Sequence, residues 1–150
     1  MIEEVTIESV QDWANLASQV WQKEPSYLVK EFREGLFPNE FLYQKDGKCI
    51  AFLSLSIRYD YVEGAKSSPV AYLEGIYVME EYQQQHIART LLEYAKKWAR
   101  KQGLHQLASD CEWNNVASQA FHQKLGFTEV SRSVHYMLNL TEEEYGQTVH

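Results

Sequence analysis

The sequence predicts a single α/β (α+β) domain built on a mixed, mostly antiparallel sheet flanked by helices. Three observations carry that expectation. The chain has 150 residues, the length of one domain with a sizeable core. Its hydrophobic periodicities run strand, helix, helix, three strands, helix, strand, helix, two strands. A strand–helix–strand crossover over residues 70–110 places a parallel pair inside an otherwise antiparallel order.

The elements follow from local pattern. Ile2, Val5 and Ile7 alternate, so Met1 to Glu8 reads as a strand. Ser9 is placed to cap a helix running to about Gln22, with Val10, Trp13, Leu16, Ala17, Val20 and Trp21 on one stripe. Pro25 opens a second helix, periodic in Tyr27, Leu28, Phe32 and Leu36, that ends by Pro38. Strands are expected over Phe41–Gln44 and Cys49–Tyr59, joined by the hairpin signal Lys45-Asp46-Gly47-Lys48. Asp60 to Pro69 is a loop, and Val70 to Met79 is a strand whose one charged residue is Glu74. The long helix Ile87–Gln102 turns Leu91, Leu92, Ala95, Trp98 and Ala99 inward. Lys97, Arg100 and Lys101 complement its dipole, and Gly103 stops it. Leu104–Asp110 is read as a strand and Val116–Lys124 as a short helix capped by Asn114 or Asn115. Phe127–Ser131 and Val134–Leu140 are read as closing strands, with the tail TEEEYGQTVH as a loose or short helical end.

Composition narrows the function classes. The net charge of −7 opposes nucleic-acid binding, whose affinity rests on phosphate neutralisation, and it suits cationic partners. On charge alone, a solubilising surface is the simpler explanation. No apolar run approaches the roughly 20 residues of a membrane span, and the five histidines form no HxxxH or HExxH ligand pattern. Cys49 and Cys111 make no CxxC pair, so a metal-free cytoplasmic protein with reduced thiols is the expectation.

The most unusual stretch is Gln83-Gln84-Gln85-His86, between the strand and the long helix. Polar, uncharged residues at a helix mouth let backbone N–H groups wrap a phosphate, while a ligand-free polar connection is the plain alternative. The run YLEGIYVMEEYQQQHIARTLLEYAKKWA, then ASD, then NNVASQAFHQKLGF, resembles the GCN5-related N-acetyltransferase superfamily over residues 49–140. Within it, the pattern is similar to the aminoglycoside 6'-N-acetyltransferases. The resemblance implies that superfamily's fold, acetyl-CoA as co-substrate, no metal, and direct transfer to a primary amine in a ternary complex.

It also implies roles for particular residues. The phosphate loop becomes Gln83, Gln84, Gln85, His86, Ile87 and Ala88, with His86 where glycine is expected. Histidine tolerates the left-handed region better than most residues, so the loop is expected to keep its shape. Backbone groups of Ile76, Tyr77 and Val78 would pair with the pantetheine arm like an added strand, and Asn115 would contact it. Ordinary sheet bonding and an N-cap are the alternatives.

An ammonium cannot attack a thioester, so a proton acceptor is required. Glu74, amid apolar neighbours, and Asp110, at a strand end, are the candidates, and together they would line a cavity for a polycation. An outward strand residue and a turn former are the competing readings. His122 stands where relatives carry a tyrosine acid for the CoA sulfur; packing or a CoA contact are equal alternatives. Trp21 and the run Arg58–Gly64 are candidates for the acceptor side, with Trp21 and Tyr61 stacking on sugar rings and Asp60 and Glu63 adding negative charge, although Trp21 also fits its helix's core stripe. Cys111 lacks any activating pattern for a nucleophilic thiol.

The expected activity is thus acetylation of the 6'-amine of aminoglycosides, conferring resistance. Another cationic amine, such as a polyamine or protein N-terminus, and a non-catalytic acyl-CoA sensor are the alternatives. A homodimer through residues 127–140 is a further implication of the resemblance.

Overall fold

A computed structural model of the protein describes residues 1–141, so the rest of the expected tail, residues 142–150, lies outside the described residues. Five strands form one sheet in sequence order. They are β1 (Ile2–Glu4), β2 (Glu40–Lys45), β3 (Lys48–Arg58), β4 (Val70–Val78) and β5 (Leu107–Ser109). Pairing is antiparallel from β1 through β4, and β4 runs parallel to β5. The helices are α1 (Val10–Trp21), α2 (Pro25–Arg33), α3 (Ile87–Lys101) and α4 (Val116–Lys124). This is the mixed, mostly antiparallel arrangement that the sequence predicts.

Strand alternation divides the core into two layers. On one face, Phe41, Leu53, Leu55 and Leu73 pack against Ile87, Leu91 and Ala95 of α3. On the other, Leu42 and Phe52 pack against Trp13, Leu16, Ala17 and Leu28 of α1 and α2. The β2–β3 turn places Asp46 and Gly47 at φ 51° and 76°, the left-handed pair that a tight hairpin demands.

Four expectations are corrected. β1 ends at Glu4 because Thr6 begins a turn: its N–H donates to Ser9 Oγ at 2.9 Å, and Ser9 N–H donates to Thr6 O at 3.1 Å. Ser9 therefore spends its hydroxyl upstream and makes no side-chain cap to α1. β5 is limited to three residues. Finally, residues 127–140 form no strand. Phe127 packs against the core, but the later apolar side chains stay in solvent, with Val134 73%, Tyr136 89% and Leu138 72% exposed. A strand needs a partner for its N–H and C=O groups, and β5 offers an edge of only three residues.

Candidate active site

Strand β4 positions most of the site. It pairs with β5 only over Ala71–Leu73. Past Leu73, no strand among the described residues covers the outer edge of Ile76, Tyr77 and Val78. On the opposite edge, Gly75 faces Ser54 while Leu73 faces Leu55, so Glu74 is an extra residue in a bulge. The bulge turns two consecutive residues to the α1–α2 face. Glu74 reaches Ser56 and Arg58 there, and Gly75 lies under Trp21, whose Cζ2 is 2.9 Å from where a Cβ would stand.

Helices α1 and α2 cover the Leu42–Phe52 half of that face and leave a polar floor beyond it. Ser56 Oγ donates to Glu74 Oε2 at 2.5 Å. Arg58 forks onto the same carboxylate, Nη2 to Oε1 at 2.8 Å and Nε to Oε2 at 3.1 Å. The guanidinium also lies 3.4 Å from the centre of the Tyr72 ring. Tyr72 donates its hydroxyl to Asp110 Oδ2. Burial, then this bond, pushes the Tyr72 hydroxyl far above the ordinary phenol range, so it stays a donor. Arg58 is likewise held above its usual range, first by its bond to Glu74.

Asp110 and His122 share a cleft of about 880 Å³, lined also by Tyr72, Ser109 and Cys111. His122 Nδ1 lies 2.7 Å from Ser118 O, which can only accept, so Nδ1 carries a proton. Nε2 then faces Ser109 Oγ at 2.8 Å. This turns the imidazole's exchangeable nitrogen towards the strand end. Asn115 Oδ1 accepts from Ser118 N at 3.1 Å, so Asn115 is the cap of α4.

At the mouth of α3, His86 adopts φ 63°, as a residue in a glycine position must, and Gln84 adopts φ 69°. Two of the glutamines brace the loop. Gln83 Nε2 donates to Val78 O at 2.9 Å, and Gln85 Oε1 accepts from Lys45 Nζ at 2.6 Å. His86 gives no side-chain cap to α3, so the helix's first N–H groups gain no bond from it. Ile87 is buried and serves the core. Ala88 packs against the same cluster.

The two aromatic candidates separate. Trp21 is a wall of the floor: it stacks on Phe37 at 5.3 Å and points Nε1–H at Glu74 O, 3.4 Å away. It is packed and site-facing at once. Tyr61 is 80% exposed and bonds Glu63 at 2.9 Å, apart from the acid pair. Cys111 is a free, exposed thiol. Sequence reasoning missed Ser56, Tyr72 and Ser109, and gave Arg58 no role beyond its place in the acceptor-side run Arg58–Gly64. A signal existed for two of them, because Ser54, Ser56 and Arg58 place polar groups at every second position of an apolar strand.

A helix mouth open beside a half-uncovered strand, next to a floor with two carboxylates, defines an α/β group-transfer protein. The comparisons make the class specific. Residues 7–127 match the model of the acetyltransferase (GNAT) family. An aminoglycoside N(6')-acetyltransferase type 1 from Serratia marcescens is 40% identical over 133 residues, covering 85% of this chain and 91% of that one. The crystal structure of apo aminoglycoside 6'-N-acetyltransferase AAC(6')-IG from Acinetobacter haemolyticus superposes with a TM-score of 0.87 at 32% identity. It covers 94% of this chain and 99% of its own. The structure of AAC(6')-Iy with the bisubstrate analogue CoA-S-monomethyl-acetylneamine gives 0.83 at 33% identity, covering 93% and 98%. The chain belongs to the acetyltransferase (GNAT) family, and is an acetyltransferase.

Proposed function

We propose that the protein transfers the acetyl group of acetyl-CoA to the 6'-amine of aminoglycosides, directly and within a ternary complex. The observation that carries this is the acid floor set against the uncovered edge of β4. Relatives with 33–40% identity named for this activity support it, as does the similarity to a protein holding a CoA–neamine bisubstrate analogue.

The pantetheine arm pairs with the backbone edge of Ile76, Tyr77 and Val78. The pyrophosphate sits against the loop Gln83–Ala88, on the N–H groups that follow Gln83, whose own N–H donates to Glu80 O; there the dipole of α3 favours negative charge. Asn115 lies at the cap of α4 beside the arm. Asp110 and Glu74 hold the acceptor's ammonium groups, Trp21 forms the wall, and Tyr61 closes from its loop. Asp110 Oδ2 is bonded to Tyr72, and Oδ1 takes the proton of the attacking ammonium. The freed amine attacks the thioester carbonyl and the C–S bond breaks. The surplus N–H proton of the tetrahedral adduct passes to the leaving thiolate, relayed by Ser109 and the proton-accepting Nε2 of His122. The sum is amide, CoA thiol and one released proton.

The test is acetylation across a panel of aminoglycosides with variants of the acid pair. Acceptors with a 6'-amine are turned over and 6'-hydroxyl analogues are not. Glu74→Ala and Asp110→Ala each weaken acceptor use while acetyl-CoA binding persists. Turnover of a polyamine or peptide amine in preference to every 6'-amine acceptor would refute the assignment, as would normal kinetics in both variants.

We also place the protein in the cytoplasm as a homodimer without nucleic-acid or membrane partners. Free thiols at Cys49 and Cys111 support the compartment. No helix among the described residues is long and apolar enough to cross a membrane. Exposed Val134, Tyr136, Leu138 and Leu140 alternate along a segment that joins no strand of the described sheet, which suits pairing with a second copy. Light scattering checks this: a dimeric parent and a monomeric Leu138→Glu variant are expected, and a monomeric parent overturns it.

A further inference from the structure

The acceptor floor carries its own cation. Arg58 has every hydrogen bond on Glu74, through Nε and Nη2, and its plane rests on the Tyr72 ring at 3.4 Å. Ser56 fills a further site on Oε2. Glu74 therefore meets the acceptor as half of an ion pair, with room for another donor mainly on Oε1. Among the described residues Asp110 has no cation within salt-bridge distance, and its one hydrogen bond is from the neutral Tyr72 hydroxyl. Counting Arg58 against Glu74 and Asp110 leaves one net negative charge on the floor, where the acid pair alone would give two.

We propose that Arg58 determines acceptor specificity by acting as the resident counter-ion of Glu74, seated where an acceptor ammonium would otherwise bind. The inference rests on the acceptor site assigned above and adds how that site chooses. An ammonium anchored at Asp110 meets an open carboxylate. A second ammonium reaches Glu74 only by sharing it with a guanidinium that the chain holds in place. A bidentate guanidinium on a carboxylate is among the stronger charge-assisted contacts, and the ring beneath strengthens it. Acceptors with one ammonium group cannot make that exchange once their charge is spent at Asp110. Acceptors with several, correctly spaced, can.

The side chains of Arg58 and Glu74 are 42% and 29% exposed, so exchange needs no opening of the core. The half-exposed setting also sets the scale. One unit charge removed beside a half-solvated subsite changes cation affinity by about tenfold at low ionic strength, and by less at high salt.

The experiment is calorimetric titration of the full-length protein and its Arg58→Gln and Arg58→Lys variants. The probes are a tetra-ammonium 6'-amino aminoglycoside, a small mono-amino sugar and acetyl-CoA. Arg58→Gln is expected to tighten the tetra-ammonium acceptor about tenfold at low salt, to steepen its salt dependence, and to leave the mono-amine within about threefold and acetyl-CoA within twofold. Arg58→Lys keeps the charge and loses the fork, so its amine affinities stay within about threefold of the parent. Unchanged or weaker binding of the tetra-ammonium acceptor in Arg58→Gln, or equal tightening of both amines, overturns the proposal. So does Arg58→Lys matching Arg58→Gln, because shape and not charge would then govern. A melting temperature for each variant separates misfolding from these outcomes. A parent that binds acetyl-CoA and acetylates 6'-amines keeps the functional reading intact even if the Arg58 outcome is negative.

Discussion

Replacing Glu40 with glutamine should remove a pH dependence of stability that the wild-type chain carries in its core. Glu40 is 3% exposed, between α1 and the sheet. Trp13 Nε1–H donates to Oε1 at 2.8 Å, and Ser54 Oγ lies 2.7 Å from Oε2. Burial raises its pKa from 4.5 to about 8, and the charge of Glu74 adds to the rise. The folded state thus binds the proton more tightly than the unfolded chain does. Stability from this group is complete below pH 4.5, falls as pH rises through the window up to about 8, and is flat above it. At roughly 1.4 kcal/mol per tenfold change, the whole window is worth at most about 5 kcal/mol. Glutamine reproduces the protonated carboxyl: its oxygen accepts from Trp13, and its amide donates to Ser54 Oγ. Urea unfolding of both proteins at pH 5, 7 and 9 reads the difference. The variant should match the parent at pH 5 and exceed it by several kcal/mol at pH 9. Parallel curves, or a variant weaker at every pH, would refute the claim that Glu40 is a neutral acid in the folded protein.

Two further substitutions probe the site's backbone. Gly75→Ala puts a methyl 2.9 Å from Trp21 Cζ2 and 3.3 Å from Phe52 Cζ. It should cost about 1–3 kcal/mol by overpacking and shift the tryptophan fluorescence; unaltered stability and emission would contradict this packing. His86→Val sets a β-branched residue at φ 63°, and should lose about 1–2 kcal/mol with weaker acetyl-CoA binding. His86→Gly should stay within about 1 kcal/mol of the parent, since relieved strain offsets added chain entropy. Equal losses in the two variants, read by denaturant midpoint, would mean that the loop conformation is not the constraint.

The parts of the fold that were legible in the sequence are those whose signal is local. Periodicity placed α3 and α4 because Leu91, Leu92 and Ala95, and the cap at Asn115, act within a few residues of themselves. The hairpin was legible because Asp46-Gly47 states its own backbone geometry. The closing strands over 127–140 were misread because alternation reports an ability to pair and says nothing of whether a partner edge exists. Glu74 and Asp110 stood out as charges at strand positions. Arg58 did not, because its meaning depends on the register of β3 against β4, where Arg58 pairs with Val70 and the bulge at Glu74 intervenes. No local pattern encodes that slip. Glu40 was equally silent, since a glutamate opening a strand normally faces water and only the closure of α1 over β2 buries it.

The slip at Glu74 also explains why one strand can serve two partners. β5 ends at Ser109, opposite Leu73, so the outer edge of β4 becomes free at the residue where its inner edge bulges. The edge presents backbone groups to the side, and the bulge presents Glu74 and the small Gly75 to the face. A ligand that pairs along the edge and a ligand that lies on the floor therefore approach the same residue from directions roughly at right angles. Trp21 closes the floor on one side, with its indole against Gly75 and its N–H on Glu74 O. A regular ladder through Glu74 would turn it and Gly75 to opposite faces, and would separate the carboxylate from the place where the free edge begins. On the proposed reading, convergence of donor and acceptor comes from a single inserted residue, and the chemistry of the floor is set by what β3 places beneath it.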